Sequence, residues 1–259
     1  ILSIFVGTAV VSVYNVYGAI IFGVEKIITS ISTGIAAGLG NLIESKKADQ
    51  INATVNQFEL VQGGIATVLY TVTGLMLIPF IRLYTINMTD MDYIQPLFGS
   101  VLILAEIIYC LRCIYSTVST NANKFKETQL GAILECVLNL LVSLALVLIC
   151  KLGILGVAIG TVVGMLVRYL YEIIFLSKNV IYRPITKAFK MLTASFAIII
   201  IAIVLCNVIL DYTKIMTFAS WFIYAIITTL IVGIIAATVY VIFYKEDIKS
   251  IIGRFTARS

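Results

Sequence analysis

Of the 259 residues, 61% are hydrophobic and 12% charged, mean hydropathy is +1.09, and the net charge is +5 with no histidine. A soluble domain carries about 25% charged residues, so this chain lacks the polar surface to cover a globule and reads as an all-α polytopic membrane protein. Its bases sit in short loops instead of on one face, which argues against a nucleic-acid partner. The absent imidazole argues against membrane enzymes that use it as base or metal ligand.

Residue 1 is Ile, and the run 1–5 is apolar but too short to span. We read 1–9 as the tail of a truncated helix with an N-terminal part missing; no basic n-region or cleavage site marks a signal peptide. Seven stretches of spanning length follow, at 10–42, 53–81, 96–119, 126–150, 154–177, 188–210 and 217–244. Each meets the requirement of about 20 residues for a 30 Å hydrocarbon core. The first exceeds it and is expected to tilt, protrude or bend near Gly18 or Gly23. Pro96 opens the third span, where a missing N–H costs nothing, and Pro79 is placed to kink the second.

Loop charge alternates along this series. Lys46, Lys47, Lys124, Lys126, Lys178, Arg183, Lys187 and Lys190, with Lys245, Lys249, Arg254 and Arg258 of the tail, lie on one side; Arg82, Lys151 and Lys214 lie on the other. Positive loops stay inside, so the richer side is cytoplasmic, and with it the C-terminus. Tyr84, Tyr93, Tyr212 and Trp221 fall near the outer boundary and Tyr182 and Tyr244 near the inner one, as an aromatic belt requires. The tail, 245–259, alternates charge with isoleucine and reads as a short interfacial helix.

Small residues four apart, Gly156, Gly160 and Gly164 in the fifth span, form a ridge for close helix packing; Ser30, Gly34 and Gly38 repeat the device in the first. Cys110 and Cys113 have redox or metal-pair spacing, but no second pair and no histidine complete a site. They read as packing residues, as do Cys136, Cys150 and Cys206.

Three bases fall inside spans: Lys26, Arg112 and Arg168. Counted from the outer ends they lie about 14 to 16 residues in, or roughly 21–24 Å at helical rise, so similar depth is expected. Intramembrane charge usually faces protein or a water-filled cavity. The accompanying acids are Glu25, Glu106, Glu135 and Glu172, with Glu59 nearer a helix end. Arg168 and Glu172, four apart, can pair within one helix; Glu135 shares a polar face with Thr128, Asn139 and Ser143. Glu106 and Arg112, six apart, point differently, so any pairing there must cross helices. Two readings stand: the ions neutralise each other and lock the bundle, or the cations bind an anionic substrate while the carboxylates take up H⁺ or Na⁺. No spacing fits a catalytic nucleophile, a metal centre or a nucleotide loop, so no enzyme activity and no cofactor are expected.

The segment KLGILGVAIGT at 151–161 resembles the "G-i-x-G-v-a-i-G-T" helix start of polysaccharide flippases of the multidrug/oligosaccharidyl-lipid/polysaccharide (MOP) exporter superfamily. Upstream, TNANKFKET at 120–128 resembles that family's "a-x-g-k-x-k-x-t" turn, with Asn123 where the family often has Gly, and Asn139 falls where Asn is frequent in the next helix. ILSIFVG at 1–7 with Val13 and Tyr14 resembles the opening of the second lobe. The resemblance covers the whole chain. It implies the C-terminal half of a two-lobe, MATE-like transporter, with a five-span lobe at 10–178, two additional spans at 179–244, and a cytoplasmic tail.

By the same resemblance, the whole protein is an inner-membrane flippase carrying undecaprenyl-pyrophosphate-linked oligosaccharide from inner to outer leaflet by alternating access. Its other lobe would be the missing N-terminal half. Lys26, Arg112 and Arg168 are then candidates for the pyrophosphate, and Glu25, Glu106, Glu135 and Glu172 for ion coupling. Rival readings are a drug or organic-cation exporter and a peptidoglycan-precursor flippase of the same superfamily. A polysaccharide polymerase would need larger outer loops, and a membrane scaffold would transport nothing.

Overall fold

Hydrophobic runs bounded by proline, glycine and polar turns become helices throughout the computed structural model, which describes residues 5–44 and 48–245. The α-helices are α1 (Thr8–Glu44), α2 (Ala48–Tyr84), α3 (Pro96–Asn121), α4 (Phe125–Leu148), α5 (Gly153–Leu176), α6 (Thr186–Ile209) and α7 (Phe218–Phe243). A π-turn, Ser177–Ile181, extends α5, and a 3-10 turn, Tyr212–Lys214, precedes α7. Each α-helix contains a segment long and apolar enough to cross a membrane, and the chain is a multi-pass membrane protein. The interfacial helix expected in the tail and the apolar start at 1–4 lie outside the described residues.

The helix ends have local causes. Pro96 occupies the first turn of α3. Between α3 and α4 the chain reverses through Asn123 at φ 52°, a left-handed conformation that Asn tolerates better than other non-glycine residues. The α4–α5 turn passes through Lys151 and Gly153 at φ 55° and 54°. At α7, Thr217 Oγ1 accepts from Ser220 N–H at 3.1 Å while Ser220 Oγ accepts from Thr217 N–H at 3.1 Å, a reciprocal cap. Its other end is capped by Lys190, whose Nζ donates to Phe243 O at 2.6 Å.

α3 is the central pillar: 67% of its apolar window is buried, against 17% for α4. It packs on α1, α2 and α5, while α4 lies against α5, and α6 and α7 lie against α2. Tyr17 pins the α2–α3 loop by donating to Tyr93 O at 3.0 Å and accepting from Gln95 N–H at 2.8 Å. Thr67 Oγ1 donates to Ser195 Oγ at 2.9 Å, and Trp221 Nε1 to Met76 O at 3.0 Å, so α6 and α7 are tied to α2 by buried polar bonds as well as by apolar contact.

α1 is one continuous helix through Gly18 and Gly23, and α2 through Pro79. Both have 37 residues, about 55 Å at helical rise, so they outrun the hydrocarbon core together. The start expected for α2 at residue 53 is five residues late: Asp49, Gln50 and Asn52 end the hydropathy signal, yet Ile51 and Val55 are buried in the same core as Leu39 of α1. Pairing of α1 with α2 holds the extension helical. Tyr93, expected at the membrane boundary, is turned inward and 6% exposed.

The glycines of α5 set the α4–α5 approach. A Cβ on Gly164 would lie 2.7 Å from Glu135 O; on Gly160 it would fall on Ser143 Oγ and 2.8 Å from Ser143 N. These are backbone contacts that no rotamer relieves. Gly34 and Gly38 of α1 differ: nothing lies within 4 Å of a Cβ at either, so that ridge has no partner among the described residues. Gly160→Ala is therefore expected to destabilise the protein by about 1–3 kcal/mol through overpacking. Gly233→Ala, where α7 leaves open space, should raise stability by about 0.5–1 kcal/mol through helix propensity. Thermal unfolding in detergent should show opposite signs for the two; equal signs would mean that α4 and α5 are not in backbone contact.

Candidate functional site

Arg168 and Glu172 stand one turn apart on α5, and Arg168 Nε donates to Glu172 Oε1 at 2.9 Å. The same guanidinium reaches α4, where Nη1 donates to Glu135 Oε2 at 2.7 Å. From α3, Arg112 Nη1 meets Glu172 Oε1 at 3.4 Å and donates to Ser116 Oγ at 3.0 Å, while Ser116 Oγ donates to Glu172 Oε2 at 3.0 Å. The Arg112 guanidinium also lies 5.1 Å from the centre of the Tyr109 ring. Two arginines and two glutamates from three helices thus close one hydrogen-bonded, charge-balanced network.

Arg112 is 5% exposed and Glu172 2%, and each needs the other, because an unpaired charge at that depth is prohibitive. Of the two readings open for Lys26, Arg112 and Arg168, mutual neutralisation describes the two arginines. Arg112 and Arg168 converge on Glu172 and are spent on carboxylates. Lys26 is exposed on α1 and has no ion-pair partner among the described residues.

Around Lys26, the exposed face of α1 carries Asn15, Ala19, Gly23, Lys26, Ser30, Gly34, Gly38 and Asn41, three or four residues apart in succession. Every position of that stripe is small or polar, and one large apolar side chain, Ile27, is exposed beside Lys26. The exposed faces of α6 and α7 carry Ile200, Val204, Val208, Phe222, Leu230 and Ile234 instead, as contact with lipid requires. The α1 stripe has the chemistry of a wall of a hydrated cavity.

A second ionic cluster was not anticipated. Arg183, grouped with the loop bases by sequence, is 5% exposed. Its Nη1 donates to Asn56 Oδ1 at 2.5 Å and to Glu59 Oε2 at 2.6 Å, and its Nη2 donates to Tyr115 OH at 2.6 Å and to Glu59 Oε1. Tyr115 OH in turn donates to Glu59 Oε1. Burial alone would lower the guanidinium pKa, but the bonds and charge of Glu59 outweigh it and raise it. The left-handed Tyr182, φ 56°, turns the chain so that Arg183 points inward. The available signal was Glu59 itself, an acid within a span with no base one turn away.

Of the remaining acids, Glu25 is half-buried on α1 and Glu106 is 5% exposed on α3. Cys110 and Cys113 are free thiols, Cys110 with its Sγ 3.9 Å from Tyr70 OH. Among the described residues, no three His, Cys, Asp or Glu side chains converge on a point that could hold a metal ion. Between α2, α3 and α6 lies a cleft of about 450 Å³, lined mainly by Gly74, Ile78, Ile103, Ile107, Phe196 and Ile199.

No family model matches this chain, and no curated protein matches it. Among solved structures, the lipid II flippase MurJ in an inward closed conformation is similar, with a TM-score of 0.58 and 17% identity over 93% of this chain. The chain spans 46% of that flippase's length. At this identity the likeness is one of fold, and the seven helices have the arrangement of one part of a helical membrane flippase.

Proposed function

We propose that this chain is one lobe, with two accessory helices, of a flippase that moves a polyprenyl-pyrophosphate-linked oligosaccharide from the inner to the outer leaflet by alternating access. The observation that carries the reading is the exposed polar stripe of α1 with Lys26 at its middle. A lysine left unpaired on a cavity wall offers a mobile point charge to a pyrophosphate. The apolar cleft between α2, α3 and α6 suits an isoprenoid chain. No bond is made or broken; the protein supplies two conformations with different access. The distribution of loop bases supports a C-terminus on the cytoplasmic side of the inner membrane.

A second reading, a flippase for a peptidoglycan lipid precursor, is favoured by the fold likeness to a lipid II flippase. Both cargoes present a pyrophosphate, so Lys26 has the same role in each. With the whole protein in proteoliposomes, Lys26→Ala is expected to reduce translocation of labelled lipid-linked oligosaccharide at least tenfold, taking one charge-assisted contact as about 1.5–3 kcal/mol. Lys26→Arg should retain most of it. Wild-type rates in Lys26→Ala would sink the cavity assignment, and faster movement of lipid II than of oligosaccharide would favour the second reading.

A further inference from the structure

We propose that the base-rich end of the bundle holds an anionic phospholipid. Its phosphate sits between α2, α6 and α7 at Lys187 and Lys190, and one acyl chain follows the apolar groove between α2 and α7. The site lies apart from the proposed cargo wall and does not depend on the transporter reading.

Two cavities adjoin there. The first, of about 60 Å³, lies between Asn56 and Glu59 of α2, Lys187 and Lys190 at the start of α6, and Tyr244 just past the end of α7. α6 begins and α7 ends at this level, which marks it as a membrane boundary. The second, of about 400 Å³, is an apolar groove lined by Val61, Gly64, Val68, Gly233, Ala237 and Tyr240. Leu60 of the pocket and Val61 of the groove are consecutive, and the Tyr240 and Tyr244 rings are 5.9 Å apart, so the groove continues the pocket. From Val61 to Leu69 it runs about 12 Å at helical rise into the bilayer half on that side.

The pocket is cationic. Both oxygens of Glu59 accept from Arg183, so that pair cancels its own charge. The charges of Lys187 and Lys190 remain, and both residues are exposed. Lys190 is fixed in place, since its Nζ donates to Phe243 O at 2.6 Å and lies 4.7 Å from the centre of the Tyr244 ring. That bond uses one of three N–H groups on the ammonium. Asn56 gives its Oδ1 to Arg183, which leaves its amide N–H groups as further donors. The positive end of the α6 dipole adds to the same field. Two cations and an amide at headgroup depth suit a phosphate diester.

The groove exists because small residues form it. A Cβ on Gly233 would meet nothing within 4 Å, and Ala237 is exposed. Elsewhere the outer face of α7 carries Phe222, Leu230 and Ile234. An acyl chain fills such a groove with the apolar contact that water cannot supply. A phosphate pocket continuous with a chain groove fits a phospholipid better than free phosphate. α1, which carries Lys26, lines neither cavity, so a resident lipid and not the cargo is the occupant.

The test uses the whole protein, stripped of lipid in neutral detergent, with native mass spectrometry reading bound lipid. The probes are phosphatidylglycerol, phosphatidylcholine and glycerol phosphate. Phosphatidylglycerol is expected to bind roughly tenfold more tightly than phosphatidylcholine, from two lysines at a membrane surface, and glycerol phosphate should not displace it. Lys187→Ala should weaken phosphatidylglycerol about fivefold while its unfolding without lipid stays as in the wild type. Lys178→Ala, an exposed base that lines neither cavity, should bind as the wild type does. Gly233→Leu, which fills the groove, should weaken binding about tenfold with both lysines in place. Equal affinity for the two phospholipids, or equal losses in Lys178→Ala and Lys187→Ala, would mean diffuse surface charge and overturn the site. Unchanged binding in Gly233→Leu would overturn the placing of the chain. Tighter binding of a polyprenyl pyrophosphate than of phosphatidylglycerol, lost in Lys187→Ala and Gly233→Leu, would make this a cargo site and overturn the assignment to phospholipid.

Discussion

Glu172→Ala is expected to destabilise the protein by about 3–5 kcal/mol, the usual effect of removing one partner from a buried ion pair. The carboxylate is 2% exposed and, among the described residues, is the only acid that touches both Arg112 and Arg168. Without it Arg168 keeps Glu135 at 2.7 Å, but among the described residues Arg112 keeps only Ser116 and the Tyr109 ring. Its Nε already lacks a partner among the described residues, so the guanidinium would be left as an uncompensated buried charge. The double replacement Arg112→Met with Glu172→Met removes charge from both sides and leaves Arg168 with Glu135. It should therefore be less harmful than Glu172→Ala alone, a non-additivity expected only of groups in one network. Denaturant or thermal unfolding in detergent, followed by helical circular dichroism, measures both. A loss below about 1 kcal/mol for Glu172→Ala, within the range of exposed pairs, would mean that the network is hydrated and that Arg112 is free to meet an anion.

That outcome also decides between the two readings the sequence leaves open for its intramembrane charges. The pairing of Arg168 with Glu172 was legible because positions four apart on a helix share a face. The pairing of Arg168 with Glu135 was legible only in outline. The polar face of α4 was visible, but its alignment with α5 depends on how closely Gly160 and Gly164 let the two backbones approach. Arg112 could be predicted to reach across helices, not to which one.

Helix boundaries were legible where a local cause exists, as at Pro96 and at the turn through Asn123. They failed where tertiary pairing sustains a polar helix, as at the start of α2, whose buried Ile51 and Val55 belong to the core shared with α1. The burial of Arg183, a base between two spans, went unforeseen for a related reason. Loop charge counting treats every base between spans as solvated, and only the backbone reversal at Tyr182 turns this one inward. Conversely, the exposure of Lys26 follows from which face of α1 the other helices cover, and no local pattern encodes that.

Arg183→Ala is expected to have an effect of similar size, about 3–5 kcal/mol, by a different route. The Arg183 side chain is fully buried and its partner Glu59 is 10% exposed. Truncation leaves that carboxylate, Asn56 and Tyr115 facing an empty volume with their donor gone. Lysine is a poor substitute, because a single ammonium cannot reproduce the planar fork that reaches Asn56 with one nitrogen and Tyr115 with the other. We expect Arg183→Lys to recover less than half of the loss. Lys187→Ala, four residues on and exposed, should stay within about 0.5 kcal/mol. Arg183 closes the π-turn between α5 and α6 onto α2 and α3, so its removal should act first on that junction. Hydrogen exchange is expected to rise at 177–185 while the interiors of α3 and α5 remain protected. Uniform loss of protection along every helix would show that the junction has no independent opening, and that Arg183 stabilises the bundle only as a whole.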